Sequence, residues 1–158
     1  MKVLPFLLVL LITTLAFGGN LPDTTKTPGD TNRAVMLMEL CHPEYLRGAN
    51  IPPTVRANVL KNYGLTEANM NSYILDMLIP NNLGGNVSEK NVWPQPRTGT
   101  WTYWKKNELE KKLNYLVCNG KLSLKHARYV IRTDWIIAYR VFVIEDTALH
   151  YDPYFGVR

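Results

Sequence analysis

A short segment in the middle of the chain limits the folds open to this sequence more than any other feature. Residues 73–79, YILDMLI, form a continuous apolar run that contains one acid, Asp76, and ends at Pro80. Such a run is typical of a buried strand. A loop rich in asparagine and glycine follows, and residues 91–96, NVWPQP, indicate a short extended piece that Pro94 confines to an edge or an end. The pattern predicts a strand–loop–strand hairpin.

Helical patterns lie on both sides of this hairpin. Residues 33–40 turn apolar on a helical spacing, and residues 52–54, PPT, open a second predicted helix that runs to about Tyr63 and is ended by Gly64. Two later helices are predicted, the second with Ser123 as its N-cap. Their apolar positions are Leu109, Leu113, Leu116 and Val117 in the first helix, and Leu124, Ala127, Ile131, Trp135 and Ala138 in the second. Helices around a hairpin predict an α+β fold.

The first eighteen residues have the composition of a secretion signal. Met1 and Lys2 make a short positive start, and residues 3–16 are almost wholly apolar. This run is shorter than the roughly 20 residues that a membrane-spanning helix needs. We expect cleavage after Gly18, the alternative being an uncleaved N-terminal anchor. The sequence therefore predicts a secreted or periplasmic protein with no stable membrane insertion after cleavage.

Charge and length allow one mildly basic domain after the signal. The chain has 18 basic and 13 acidic residues, and losing Lys2 with the signal leaves 17 and 13, a net charge of +4. This charge suits a polyanionic partner such as nucleic acid, although many inert secreted domains are equally basic. We predict an extended linker over residues 19–32, one domain over 33–145 and a C-terminal tail without a motif over 146–158.

Two cysteines, Cys41 and Cys118, are the whole cysteine content of the chain. An even pair in an exported chain predicts a disulfide, the alternative being two buried free thiols. No histidine pattern accompanies them, so they do not indicate a zinc site.

Several stretches of the chain match a longer pattern. The hairpin segment reads YILDMLIPNNLGG followed by NVWPQP, with TPGDTN upstream and LVCNGKLSL and TDWIIAY downstream. It resembles a family of small secreted HNH nuclease-like proteins, whose pattern is Tyr-Glu-x-Asp-His-Leu-Ile-Pro-x-x-Leu-Gly-Gly and then Asn-Leu-Trp-Pro-x-Pro. The resemblance implies a ββα-metal architecture, in which a hairpin and the following helix hold one divalent cation, Mg²⁺ or Mn²⁺, against a nucleic-acid phosphate.

The resemblance assigns roles to single positions of this chain. Asp76 falls on the acidic position and is the implied metal ligand, the alternative being a structural carboxylate hydrogen-bonded to the loop. Asn91 falls on the asparagine that holds the loop or assists the metal shell. Met77 stands where the family has its general-base histidine, and a thioether neither accepts a proton near neutral pH nor binds Mg²⁺ well. Ile74 and the WKKN of residues 104–107 replace further polar positions.

These departures imply a degenerate active site. The chain contains only three histidines, His42, His126 and His150, and none is near the hairpin in sequence. Of these, His126 is the least unfavourable substitute for the missing base. Losing a general base typically lowers a rate 10²- to 10⁴-fold. We therefore expect weak or absent hydrolysis.

Basic and aromatic residues alternate just after the hairpin. We predict that Arg97, Lys105 and Lys106 contact nucleic acid, since cations beside aromatic rings suit its backbone and bases, the alternative being a solvated helix face. Three functions stay open: a degenerate nuclease-like protein that binds nucleic acid, an atypical metal-dependent DNA or RNA endonuclease, and a secreted protein that uses the same scaffold to bind a protein target.

Overall fold

A computed structural model describes residues 20–46 and 48–145, and for Tyr45 and Leu46 it describes the main chain alone. The predicted signal over residues 1–18 and the predicted tail over residues 146–158 lie outside these ranges. Within the described ranges, no helix is both long and apolar enough to span a bilayer.

The predicted hairpin is confirmed. Strands β1 (Tyr73–Met77) and β2 (Val92–Pro96) pair antiparallel, with Asp76 opposite Trp93. Each strand has only one neighbour in this two-stranded sheet, so the missing N–H groups of the prolines in β2 are tolerated. β1 ends two residues earlier than the apolar run predicts, because the chain leaves the sheet at Leu78 to enter the loop.

The described residues also form four α-helices: α1 (Leu37–Leu40), α2 (Pro53–Asn62), α3 (Tyr103–Cys118) and α4 (Leu124–Tyr139). The predicted N-cap is confirmed, since the Ser123 hydroxyl oxygen accepts the His126 N–H at 3.2 Å. α1 is shorter than predicted because it begins only after Met36, whose N–H is capped by the Glu39 carboxylate at 2.7 Å. Short 3₁₀ turns span Pro43–Leu46, Glu67–Asn71 and Asn81–Leu83, and a π-helical segment, Arg140–Glu145, continues α4.

Two apolar clusters form the core of the described residues, and the smaller one includes residues of the hairpin. The larger one joins α3 and α4 through residues that include Leu109, Leu113, Ile131 and Trp135. The smaller one packs α2 against the hairpin and contains Val59, Leu60, Leu75, Met77 and Val92. Because successive side chains of a strand point to opposite faces, Asp76 lies on the face away from Met77. The fold is thus α+β, with the hairpin packed against α2.

Cys41 and Cys118 form the predicted disulfide, with an S–S distance of 2.04 Å. The alternative of two free thiols is therefore wrong. The bond ties the residue that ends α1 to the last residue of α3.

The predicted extended linker is packed into the domain over its described part. Thr27 is fully buried, and its hydroxyl lies 2.7 Å from that of Tyr63. The buried Trp135 indole N–H donates to the main-chain oxygen of Asn20 at 2.9 Å. Asp30 accepts a hydrogen bond from the Ser88 hydroxyl at 2.7 Å. Residues 20–32 belong to the fold because their polar groups pair with residues that are distant in sequence. Such pairing leaves no periodic pattern in the sequence.

Candidate functional site

The candidate site lies where the hairpin meets α3. Asp76 extends from β1 and is one-fifth exposed, whereas the Lys106 side chain on α3 is fully buried. The Asp76 Oδ2 and Lys106 Nζ atoms are 2.7 Å apart, which makes an ion pair. This contact joins strand β1 to α3, the helix that follows the hairpin.

Three oxygen atoms surround the Lys106 ammonium. Besides Asp76, it binds the Glu110 carboxylate one helical turn later and donates to the main-chain oxygen of Met77. Two of these contacts are hydrogen bonds, to Glu110 and to Met77, whereas the contact with Asp76 is an ion pair without hydrogen-bond geometry. We call these residues the Lys106 cluster: Asp76, Lys106, Glu110 and the carbonyl of Met77.

The Lys106 cluster keeps its cation charged in the interior. Burial disfavours the charged ammonium, but the carboxylates of Asp76 and Glu110 outweigh burial and raise the pKa of Lys106 above its usual range. For Glu110 the balance is reversed, since burial raises the pKa of this carboxyl to about 7 although the ammonium beside it opposes the shift. The ammonium is therefore charged at neutral pH. The Lys106 cluster contains two acidic residues and one basic residue.

A cleft of about 240 Å³ opens beside the Lys106 cluster. Asp76 and Glu110 line it, together with the side chains of Tyr103, Asn81 and Asn107. Apolar residues that include Ile51, Ile74 and Leu75 line the rest of the cleft, and its charged lining residues are the two acids. Such a wall does not attract phosphate unless a further cation neutralises it.

The residues of this cleft do not fit a divalent cation as they are arranged. Mg²⁺ and Mn²⁺ require several oxygen ligands around a position that is free of positive charge. Here the Lys106 ammonium lies between the two carboxylates that would supply those ligands. Across the parts of the chain that the structure describes, no group of three or more His, Cys, Asp or Glu side chains is gathered as a metal site.

Asn91 holds the loop between the strands. It is fully buried, and its Oδ1 accepts the Ile79 N–H at 2.9 Å while its Nδ2 donates to the oxygens of Ile79 and Asn86 at 2.8 and 2.9 Å. Gly85 fits beside it only without a side chain, since a Cβ there would lie 1.8 Å from the Ile79 oxygen. The geometry corresponds to the loop-holding role of this asparagine, and metal binding by Asn91 stays a prediction.

Met77 is part of the core and does not face the cleft with a reactive group. Its side chain is 6% exposed and packs in the cluster with α2. The histidines do not replace it in the described structure. His126 is exposed on α4 beside Tyr129, with 6.3 Å between the ring centroids, and His42 is exposed after α1. His150 lies outside the described residues.

The three residues predicted to bind nucleic acid differ in their exposure. Lys106 is fully buried and bound to two carboxylates, which is not compatible with a direct nucleic-acid contact. Arg97 is exposed, and its Nε donates to the main-chain oxygen of Tyr73 at 2.8 Å. Lys105 is partly exposed, with its Nζ 4.8 Å from the centroid of the Trp101 ring.

A second cation reaches the same ring from a distant part of the chain. The exposed Arg140 places its Cζ 5.3 Å from the Trp101 centroid, and Trp104, next to Lys105, is 66% exposed. We call Trp101, Lys105 and Arg140 the Trp101 surface, in which the Trp101 ring is itself partly buried. Arg140 was not predicted, because 35 or more residues separate it from the others and only the packing of α4 on α3 brings it there. Trp93 takes no part, since it is 1% exposed and lies in the interior.

Comparison with known proteins found no matching protein family, no matching curated protein and no matching solved structure. The resemblance to HNH nuclease-like proteins thus stays a prediction that depends on the residues quoted for it.

Proposed function

We propose that this protein is a secreted HNH nuclease-like protein that has lost metal-dependent hydrolysis and binds nucleic acid through the Trp101 surface. The observation that carries the proposal is the ion pair between Asp76 and the buried Lys106. In this ion pair Asp76, the implied metal ligand, already binds a cation of the protein itself, the Lys106 ammonium.

Hydrolysis of a phosphodiester by the ββα-metal mechanism needs two groups. A metal ion must stabilise charge on the phosphate, and a base must deprotonate water. In this chain the Lys106 ammonium binds the carboxylates that would otherwise hold the metal ion. The thioether of Met77 cannot deprotonate water. Glu110 is the cleft residue whose pKa of about 7 suits a base, but its carboxylate is bound to the same ammonium.

Binding is better supported at the Trp101 surface than at the cleft. The excess of carboxylates in the Lys106 cluster repels phosphate, whereas Lys105 and Arg140 place two cations around one aromatic ring. Cations that release counterions, beside aromatic rings on which bases stack, are the usual means of binding single strands without sequence preference. We therefore place the contact on the side of α3 that meets Arg140.

Purified mature protein is expected to leave plasmid DNA and single-stranded RNA intact in Mg²⁺ or Mn²⁺. The reason is that the Lys106 ammonium lies between the two carboxylates and also binds Glu110, the cleft residue whose pKa suits a base. Digestion is followed on gels with and without EDTA, beside the variants Asp76→Asn and Glu110→Gln. EDTA-sensitive cleavage that either variant abolishes would reverse the proposal in favour of an atypical endonuclease.

Fluorescence anisotropy with a labelled single strand tests the binding surface. Lys105→Gln and Arg140→Gln are each expected to weaken binding. Each should also reduce the magnitude of the slope of log K against log salt by about 1, the value for one phosphate contact. Lys61→Gln, an exposed lysine of α2, is the matched control and should change neither quantity. Wild-type protein that binds no strand at low salt would remove nucleic acid as the ligand and favour a protein target, captured without dependence on salt or metal.

A further inference from the structure

The Lys106 ammonium is held in the way a hard metal ion is held. Its partners are two carboxylates and a main-chain carbonyl, the same oxygen types that bind divalent cations in proteins. Two partners, Asp76 and the Met77 carbonyl, come from β1 and the third, Glu110, comes from α3, so the ammonium joins hairpin to helix. A metal in a ββα-metal site is expected to make this same connection.

We propose that Lys106 is a built-in substitute for a divalent cation, and that Asp76, Glu110 and the Met77 carbonyl form a latent divalent-cation site that opens when the ammonium is removed. The latent site rests on one part of the proposed function, namely that the cleft of the wild-type protein binds no metal ion. It does not depend on nucleic-acid binding.

The dimensions of the Lys106 cluster favour this inference. The Asp76 oxygen is 2.7 Å from the ammonium nitrogen, longer than the roughly 2.1 to 2.6 Å between divalent cations and their oxygen ligands. The Met77 oxygen, at 2.5 Å, is already within that range, so such an ion would fit in the space of the ammonium after a small inward movement of Asp76. The adjacent cleft, with Asn81 and Asn107 on its wall, leaves access for the ion and for water to complete its shell.

The position of Lys106 in the chain explains why the substitute is permanent. Lys106 and Glu110 are four residues apart on one helix, so α3 itself carries both the cation and one of its ligands. The ammonium cannot dissociate, and chelators have nothing to remove. A bound metal ion would stabilise the fold only to the extent of its concentration, whereas the Lys106 side chain is always present.

The test compares Mn²⁺ uptake by wild-type protein and by Lys106→Ser, which removes the ammonium and leaves space between the carboxylates. The signal of free Mn²⁺ in electron paramagnetic resonance measures uptake, and the melting temperature is measured in Mn²⁺ and in KCl of equal ionic strength. We expect no uptake by the wild type, and for Lys106→Ser uptake with a melting temperature that rises with Mn²⁺ but not with KCl.

Two variants control for non-specific effects. Lys105→Ser removes the neighbouring lysine, whose ammonium lies over the Trp101 ring, and should take up no Mn²⁺. The double variant Lys106→Ser with Asp76→Asn keeps the space but removes one carboxylate, and it should lose the uptake.

The outcomes separate this inference from the proposed function. A folded Lys106→Ser variant that takes up no Mn²⁺ overturns the latent site alone. A variant that folds only with Mn²⁺ supports it, and one that stays unfolded with Mn²⁺ overturns it, since an ion able to replace the ammonium should restore the fold. Uptake by the wild type that Asp76→Asn abolishes would overturn both the latent site and the proposed loss of the metal.

Discussion

Lys106→Met is expected to lower the free energy of unfolding by about 3 to 5 kcal/mol at pH 7. The substitution keeps most of the apolar stem but removes the cation from between Asp76 and Glu110. Two carboxylates then face each other in a largely buried place without a counter-charge, and the Met77 carbonyl loses its donor. Urea unfolding followed by circular dichroism measures the loss.

The pH dependence identifies the cause of this loss. Burial already raises the pKa of Glu110 to about 7 from its ordinary value of 4.5 with the ammonium present. A carboxyl whose pKa is raised by folding lowers stability once it ionises, so that its favourable contribution is complete below about pH 4.5 and disappears as the pH rises through 7. Without Lys106 this penalty grows, and the loss should be largest at pH 7 and shrink toward pH 4.

Lys105→Met is the matched control, because it removes a lysine from the adjacent position of the same helix without removing the counter-charge of the Lys106 cluster. A change within about 0.5 kcal/mol is typical of such partly exposed positions. If Lys106→Met cost no more than Lys105→Met, or cost the same at pH 4 and pH 7, the Lys106 cluster would not be the electrostatic centre described above.

Removing the disulfide is expected to have a comparable effect. Replacing both Cys41 and Cys118 by alanine opens a loop whose ends are 77 residues apart, and the chain-entropy model gives a loss of about 4 to 5 kcal/mol. Both cysteines are exposed, so lost packing should contribute little. Urea unfolding of the alanine variant, with and without dithiothreitol, measures the change.

Reduction of the wild-type protein supplies the control for this experiment. Dithiothreitol should lower the stability of the wild type to near that of the alanine variant and leave the variant itself unchanged. A loss under about 1 kcal/mol would show that the unfolded chain gains little freedom when the bond is broken.

The predicted elements that the structure confirms depend on local signals. The hairpin follows from an apolar run, a turn-rich loop and prolines that exclude a central strand. The start of α4 follows from the Ser123 cap, and the disulfide follows from an even pair of cysteines. In each case the residues that determine the structure are close in sequence or unique in the chain.

The candidate site was predicted only in part. Asp76 is where the hairpin pattern places it, but the sequence assigned Lys106 to a surface, and the structure buries it completely. The one local signal was the spacing of Lys106 and Glu110, which are four residues apart on a helix. That spacing usually marks an exposed pair, and nothing in the sequence near α3 shows that Asp76, thirty residues earlier, covers it.

The sequence by itself determines that a hairpin carrying Asp76 precedes a long helix, and that a methionine follows this aspartate. The tertiary structure alone decides which lysine is exposed and which is buried, and that Arg140 reaches the ring of Trp101. The physical reason is that burial and charge pairing depend on how β1 and α4 pack against α3. Adjacent lysines of one helix therefore differ completely, with Lys105 over an aromatic ring at the surface and Lys106 between two carboxylates in the interior.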